Sequence, residues 1–239
     1  MVGWSVRYLR LLIWLQWVDR RATSSFIVGI TIQTAVLSLG LVQLRTLDAP
    51  AVLQAAVRAS FLVGTALCAL SAMSAFQNEF RYQTVWQTAR DQRVFARLML
   101  ARAFAMVIIT APALLVPFIV ATVLLGATVS VGVVAAMAFL SVVVLVAFTH
   151  LLTTGLALTY DPARLVPWIR QVVMVVALGT VAFLSPEPVR NVFPFVWIER
   201  MAVPGELWRS AGLTIGITGA WWLVGQALLR RPAREILTR

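Results

Sequence analysis

The stretch VGVVAAMAFLSVVVLVAF, residues 131–148, decides the fold of this chain. It contains no charged residue, and a helix of about 18 to 20 apolar residues is long enough to cross the ~30 Å hydrocarbon core of a bilayer. The rest of the sequence has the same character, because 61% of the 239 residues are hydrophobic and 12% are charged. The sequence therefore predicts an all-α integral membrane protein.

Apolar runs separated by charged residues predict six transmembrane helices in one membrane domain that covers residues 1–239. The predicted spans are residues 26–44, 59–76, 104–125, 131–152, 166–184 and 211–229. An N-terminal amphipathic interface helix is predicted at residues 3–18, because Arg7 and Arg10 interrupt an apolar run that also holds tryptophans. A cleaved signal peptide is the alternative, although those arginines and the lack of a small-residue cleavage site disfavour it.

The distribution of arginine predicts the orientation of the spans, since every basic residue is an arginine. If both termini are cytoplasmic, the arginines on the outer side are Arg45, Arg58, Arg190, Arg200 and Arg209. The other fifteen lie inside, as expected when arginines close to span ends are retained on the cytoplasmic side. We therefore expect a multi-pass protein of a bacterial cytoplasmic membrane with both termini inside.

The composition disfavours an enzyme. One histidine, one cysteine and no carboxylate at membrane depth cannot form a catalytic centre or a metal site with several ligands. The absence of lysine excludes the P-loop of an ATPase. The net charge of +11 is spread over turns next to the membrane, where it attracts anionic lipid rather than nucleic acid. We expect a chain that has no catalytic site and binds no cofactor or metal itself.

Two features within the spans are candidates for a moving part. Pro112 and Pro117 in the third span each remove a backbone hydrogen bond, which favours a kink that serves as a hinge or only as a packing bend. His150 lies near the cytoplasmic end of the fourth span and is a candidate gate, although a hydrogen-bonded interface histidine is the more ordinary interpretation. Hydroxyl residues of the last span, such as Thr214 and Thr218, either pack helices or line a substrate path.

Residues 77–102, QNEFRYQTVWQTARDQRVFARLMLAR, form the longest inner loop, which contains five arginines and two acidic residues. Apolar residues recur at helical spacing in two runs, so the loop is predicted to fold as helix, turn and helix, with the second helix continuing into the third span. A positively charged anchor is the simplest interpretation of this loop. The alternative is a docking surface for a cytoplasmic partner that supplies free energy.

This organisation resembles the permease subunits of ABC-2 type exporters. The interface helix, the six spans, the cytoplasmic termini, the long loop after span two and an outer excursion before span six are all features of that family. Its loop typically starts with an acidic residue, followed by an arginine, a Gly-Thr pair, a hydrophobic turn and another arginine. The residues of this chain in that region are Glu79, Arg81, Thr84, Val85, Trp86, Arg90, Asp91 and Arg93. Two positions depart, because Gln83 stands where glycine is usual and Arg90 stands near where proline is usual.

The resemblance implies an exporter driven by a separate ATPase subunit, which holds ATP and Mg²⁺ and docks on the 77–102 loop. ATP-driven closure would rock two permease chains, identical or similar, between inward- and outward-facing states. Asp161 and Arg164 in the second inner loop are candidates for a lesser contact, although Asp-Pro is ordinary turn chemistry. Apolar, charge-free spans favour an amphipathic or hydrophobic cargo such as a drug, a lipid or a peptide.

The outer excursion, residues 185–209, contains four prolines and several aromatic residues and is too polar to be another full span. By resemblance it looks like the short re-entrant or outer helices that such exporters place over the translocation path. An interfacial loop pinned by its aromatic residues is the alternative.

Other functions also fit this pattern. A haem-maturation permease shares a proline-containing third span, and the transmembrane coupling subunit of vitamin importers docks through Ala-Arg pairs such as Ala89 and Arg90. From a different class, the chain could be a noncatalytic membrane anchor or assembly subunit. Such an anchor would recruit a partner without moving a substrate.

Overall fold

The structure, a computed structural model, describes residues 48–81, 92–126, 129–159 and 187–230, together with the single residues 10 and 40. All regular structure in these ranges is helical, which confirms the all-α prediction. The helices are α1 (Ala49–Arg81), α2 (Gln92–Leu125), α3 (Val131–Thr159), α4 (Glu187–Arg190), α5 (Pro194–Arg200) and α6 (Leu207–Arg230). Apart from those two single residues, the predicted interface helix and the predicted spans at 26–44 and 166–184 lie outside the described residues.

Helices α1 and α2 pack side by side in opposite directions. The hydroxyl of Ser60 in α1 donates a hydrogen bond to the carbonyl oxygen of Leu114 in α2 (2.9 Å). This register brings Ala49 to the level of Leu125. The end of the pair that faces residues 82–91 therefore holds both the last turn of α1 and the first turn of α2.

The sequence predicts that the second span starts at residue 59, whereas α1 starts ten residues earlier, at Ala49. Val52, Leu53 and Val57 in this extra length are buried in the core. The difference has a physical reason: an arginine next to an apolar run predicts the end of a span, but the charge of Arg58 is paired with Glu199 inside the bundle.

Two other predicted boundaries agree with helix ends on one side of the bundle, whereas a third, the start of the last span at residue 211, lies four residues inside α6. Helix α2 ends at Leu125 and α3 begins at Val131, as predicted for spans three and four. On the opposite side the helices run past the predicted spans: α1 reaches Arg81 and α2 begins at Gln92. Residues 92–102 of the loop and the predicted third span at 104–125 thus belong to one continuous helix, as predicted, while the membrane-spanning role of that helix stays a prediction.

A short turn reverses the chain between α2 and α3. Gly126 adopts a positive φ of 54°, which costs a glycine nothing, and the Ser130 carbonyl accepts the N–H of Val134 at the start of α3 (3.3 Å). Helices α3 and α6, in contrast, run in the same direction, because Leu207 packs with the cluster that includes Val134, while Gln226 contacts His150 further along. Thus α1, α3 and α6 are parallel to one another and antiparallel to α2.

The core is formed by one side of α1, α2 and α3 together with α5. Its fully buried side chains include Val57, Phe118, Met137, Val144 and Ile198. Side chains on the opposite side of α2 are apolar and exposed, and they recur every three or four residues at Phe104, Ile108, Pro112, Leu115, Ile119 and Val123. This exposed apolar stripe extends along most of the helix.

One helical segment in the described part of the chain, Val131–Leu151, is long and apolar enough to cross a membrane by length and composition. Two other apolar helical segments, Ala49–Thr65 and Thr110–Leu125, are shorter. The fold is therefore all-helical with one candidate span among the described residues.

Candidate functional site

Residues 191–206, which we call the re-entrant segment, enter the bundle between α1 and α6. Phe195 stacks on Phe61 of α1 with 4.3 Å between ring centroids, and Phe193 lies edge-on to Trp221 of α6 at 5.9 Å. Phe61 lies twelve residues beyond the start of α1, and Trp221 lies fourteen residues beyond the start of α6. At 1.5 Å per residue, both contacts are therefore roughly 20 Å inside that end of the bundle. The segment reaches about halfway along the helices and returns.

Helix α5 within this segment is part of the core. Phe195, Val196, Trp197 and Ile198 are all buried, and Arg200 is the first side chain of the helix that reaches the surface. Burial of each large apolar side chain contributes about 1.5–3 kcal/mol, so withdrawing α5 into water would cost on the order of 10 kcal/mol. This cost means that α5 moves with the helices around it and is not a loose lid.

An ion pair joins α5 to α1. Arg58 donates from Nε to Glu199 Oε1 and from Nη2 to Glu199 Oε2, both at 3.0 Å. The side chain of Glu199 is 5% exposed and that of Arg58 is 46% exposed, so the guanidinium covers the carboxylate from outside. Parallel double hydrogen bonds of this kind are stronger than neutral ones and fix the relative orientation of both side chains.

The pair lies nine residues, or roughly 13 Å, beyond the start of α1. Sequence reasoning placed Arg58 at a span end and Glu199 in an outer loop, with no charged residue deep in the bundle. The structure instead brings these two charges together across 141 residues of chain. Buried charges in proteins are normally paired, as these two are.

The turn that precedes α5 is held by polar contacts. The indole N–H of Trp197 donates to the carbonyl oxygen of Asn191 (2.9 Å), and Arg200 donates to the Asn191 side-chain oxygen (3.3 Å). The Arg200 guanidinium also lies 4.5 Å from the centre of the Trp197 ring, a cation–π geometry. Its contact with Glu187 is longer, at 3.9 Å, and the Glu187 side chain is 83% exposed, so that ion pair contributes little.

A small cavity lies beside α5, between the hydroxyls of Ser60 and Ser141 and the rings of Phe61 and Phe195. Its volume is about 10 Å³, which is close to the minimum needed for one water molecule. A drug, lipid or peptide does not fit there. This cavity is therefore not a binding site for a molecule of that size.

Comparison with known proteins adds no relative. No known protein family, curated protein or solved structure matches this chain. The described residues also contain no group of three or more His, Cys, Asp or Glu that could hold a metal ion. The function has to be argued from the geometry of the chain itself.

His150, the candidate gate, joins α3 to α6. It is fully buried, and the amide nitrogen of Gln226 lies 3.1 Å from its Nε2, so the amide donates to the ring. The ring also packs on Trp222 with 4.5 Å between centroids. A Cβ added to Gly225 would lie 3.0 Å from His150 Cδ2, which explains why glycine suits this close approach. His150 thus holds two parallel helices together; a gating role stays a prediction.

The two prolines differ in what they face. Helix α2 continues through both, so neither ends it. Pro112 is exposed on the apolar stripe, whereas Pro117 is buried and faces the bundle. Pro117 cannot donate to the Ala113 carbonyl, and the next carbonyl, that of Leu114, accepts the hydroxyl of Ser60. The interhelical hydrogen bond is therefore located at the turn of α2 that the proline weakens.

The hydroxyls of α6 bond within their own helix. Thr214 donates to the Ser210 carbonyl (2.8 Å) and Thr218 donates to the Thr214 carbonyl (2.6 Å), while both side chains are buried. Hydroxyls bound in this way favour the packing interpretation of these residues over a substrate path.

The predicted coupling residues are described only in part. Glu79 and Arg81 lie in the last turns of α1, and Arg93 lies in the first turn of α2, at the same end of the bundle. Thr84, Val85, Trp86, Arg90 and Asp91 lie outside the described residues, as do Asp161 and Arg164 of the second inner loop.

The contact between Gln226 and His150 leads to a first prediction. Replacing Gln226 with leucine removes the donor to Nε2 of a buried ring, and we expect a loss of about 1–2 kcal/mol in the free energy of unfolding. Gln54→Leu is the matched control, because Gln54 makes no hydrogen bond with the residues that the structure describes. Thermal unfolding in detergent micelles should show a lower midpoint for Gln226→Leu alone. Equal midpoints would mean that the hydrogen bond does not stabilise the α3–α6 contact.

Proposed function

We propose that this chain is the membrane-embedded permease subunit of an ATP-driven exporter and that a separate ATPase subunit docks on residues 77–102. The supporting observation is the hairpin of α1 and α2. The two helices have 33 and 34 residues and are therefore about 50 Å long, whereas ~30 Å is enough to cross the hydrocarbon core. The hairpin thus has some 15–20 Å of helix to spare beyond the membrane, and we assign that excess to the end that carries Glu79, Arg81 and Arg93.

The chemistry of this hairpin end suits a reversible partner. Residues 77–102 hold five arginines and two acidic residues, and polar, charged contacts give specificity and fast association without forming a permanent apolar interface. ABC-2 permeases, which this chain resembles, receive their ATPase at the corresponding loop. ATP and Mg²⁺ would be held by the ATPase subunit.

We also propose that the chain has six spans with both termini in the cytoplasm. Helices α3 and α6 are parallel, yet α4 and α5, which lead into α6, lie far from the end of α3. Residues 160–186 therefore have to connect the two sides, and the apolar run at 166–184 is suited to do so as the fifth span. The exposed apolar stripe of α2, with Ile119 59% and Val123 76% exposed, is suited to lipid and would be unfavourable in water.

The path is proposed to lie between two permease chains, identical or similar. The small cavity beside α5 cannot hold such a cargo, and the ABC-2 permeases that this chain resembles enclose their route between two chains. The walls available are apolar, which favours an amphipathic or hydrophobic cargo such as a drug, lipid or peptide. This organisation would place the protein in a bacterial cytoplasmic membrane, in contact with lipid and not with nucleic acid.

Charge reversal at the hairpin end tests the proposal. With the ATPase subunit that co-purifies from the native membrane, Glu79→Arg or Arg93→Glu should abolish substrate-stimulated ATP hydrolysis, because like charges at a polar interface are strongly unfavourable. The matched control is Arg209→Glu, which reverses an exposed arginine at the opposite end of the bundle. Membrane insertion should be unchanged in all three variants.

The alternative is a noncatalytic anchor or assembly subunit. Purification in nanodiscs without any ATPase, or with a partner that does not hydrolyse ATP, would favour the anchor. Unaltered stimulation in Glu79→Arg and Arg93→Glu would remove the coupling role from this hairpin.

A further inference from the structure

Helix α1 carries two contacts that are far apart along its length. At one end lies Glu79, in the hairpin that we propose as the ATPase dock, and 21 residues away lies Arg58, which binds the re-entrant segment. The separation is roughly 32 Å along a single helix. The helix has no proline after Pro50, so the commonest cause of a kink is absent between the two contacts.

The re-entrant segment bridges α1 and α6. On α1, Arg58 and Phe61 are three residues apart and share one face, and they bind Glu199 and Phe195 of α5. Met201 at the end of α5 packs with the core cluster that Leu207 and Ala211 of α6 join. Displacement of α1 therefore acts directly on α5, and through α5 on α6.

We propose that α1 is a rigid lever and that the Arg58–Glu199 pair, supported by the Phe61–Phe195 stack, transmits its movement to the re-entrant segment. The inference rests on the proposed function and adds to it: ATPase closure at the hairpin end changes the position of α5 about 30 Å away. Arg58 and Glu199 are thus positioning residues of the transport cycle. Neither is required to touch the cargo.

The geometry of the contacts explains why movement of α1 would carry α5 with it. The double hydrogen bond resists both sliding and rotation of α1 against α5, because Nε and Nη2 of Arg58 each donate to a different oxygen of Glu199 at 3.0 Å. The stacked rings one turn further along resist tilting. A single apolar contact would instead let the two helices slip past each other.

The test uses cysteine labelling in the complex with the co-purifying ATPase subunit, reconstituted in nanodiscs. Cys68 is the single cysteine of the chain, so Cys68→Ser provides a background without thiols. Gln77→Cys reports docking at the hairpin, and Val196→Cys, at a side chain that is 4% exposed, reports movement of α5. Maleimide labelling of each is compared without nucleotide and after trapping with MgATP and vanadate.

We expect docking of the ATPase subunit to protect Gln77→Cys from maleimide. Trapping with MgATP and vanadate should raise the labelling rate of Val196→Cys roughly tenfold, which is the increase expected when an accessible state populated at about 10% or less becomes the main one. The nucleotide response at Val196→Cys should be lost in Arg58→Ala and in the isosteric Glu199→Gln, and retained in the control Arg209→Ala. Gel filtration establishes that each variant is folded, and Glu199→Gln keeps the test decisive if Arg58→Ala does not fold.

The outcomes separate the two proposals. Absence of protection at Gln77→Cys with any ATPase subunit overturns the proposed function, and the lever falls with it. Protection at Gln77→Cys with no nucleotide response at Val196→Cys overturns the lever alone. A response that persists in Arg58→Ala and Glu199→Gln overturns the role of the ion pair.

Discussion

Replacing Arg58 with alanine is expected to lower the free energy of unfolding by about 2–3 kcal/mol, somewhat below the usual cost of breaking a buried ion pair. The carboxylate of Glu199, 5% exposed, would lose two hydrogen bonds and remain among apolar side chains. Because Arg58 is itself 46% exposed, part of the effect is screened, which places the value below that of a fully buried pair. Thermal unfolding in detergent micelles, followed by tryptophan fluorescence, should show a midpoint roughly 5–10 °C lower.

The order of the related variants makes this prediction specific. Glu199→Ala should cost less than Arg58→Ala, because the half-exposed arginine can turn outward, whereas the carboxylate cannot. The double variant Arg58→Ala/Glu199→Ala should be more stable than Arg58→Ala alone, since it leaves no buried charge. Arg209→Ala, at an exposed arginine near the same end of the bundle, is the control and should have little effect. If Arg58→Ala and Arg209→Ala lower the free energy of unfolding equally, the buried carboxylate of Glu199 needs no partner.

Replacing Gly64 with leucine is expected to prevent the bundle from assembling. A Cβ at this position would overlap Leu114 Cδ2 and lie 3.3 Å from both terminal carbons of Leu145. Both leucines are almost fully buried, so neither can swing away without displacing other core side chains. The milder Gly64→Ala should still destabilise, because overpacking against two buried leucines costs about 1–3 kcal/mol and outweighs the ~1 kcal/mol gain in helix propensity.

Gly212→Ala provides the matched control for this prediction. It makes the same chemical change in another helix, and no described atom lies within 4 Å of the added Cβ. The unfolding midpoint of Gly212→Ala should be unchanged or slightly raised, while that of Gly64→Ala should fall by several degrees. If gel filtration finds no folded Gly64→Leu protein, the result agrees with a close contact of α1, α2 and α3 at Gly64. A monodisperse, fully stable Gly64→Leu would contradict it.

The candidate site was accessible from sequence only in its outline. The outer excursion was predicted to be re-entrant or interfacial, and the structure shows that its central residues are buried. The ion pair was missed, because Glu199 follows Arg58 by 141 residues and nothing local connects them. One signal was present: Glu199 directly follows the apolar run FPFVWI, and an acidic residue in such a setting needs a partner when the run is buried.

The contacts of His150 also join residues that are distant in the chain, so the sequence did not predict them. The sequence identified a lone histidine near a span end, and both a gate and a hydrogen-bonded residue were plausible. Its partner Gln226 lies 76 residues away, and the close approach at Gly225 depends on two parallel helices. The coupling residues around the 77–102 loop stay a prediction, because most of their side chains lie outside the described residues.

The sequence by itself determined that this protein is helical and where several of its helices begin and end. Apolar runs, turn residues such as Gly126 and the charges beside them are local, and local pattern decides helix formation and length. Only the tertiary structure decided which helices are parallel, where Arg58 finds its counter-charge and how deep residues 191–206 enter the bundle. These features depend on packing between segments that are distant in the chain, because only packing can bring the charge of Arg58 to the buried carboxylate of Glu199.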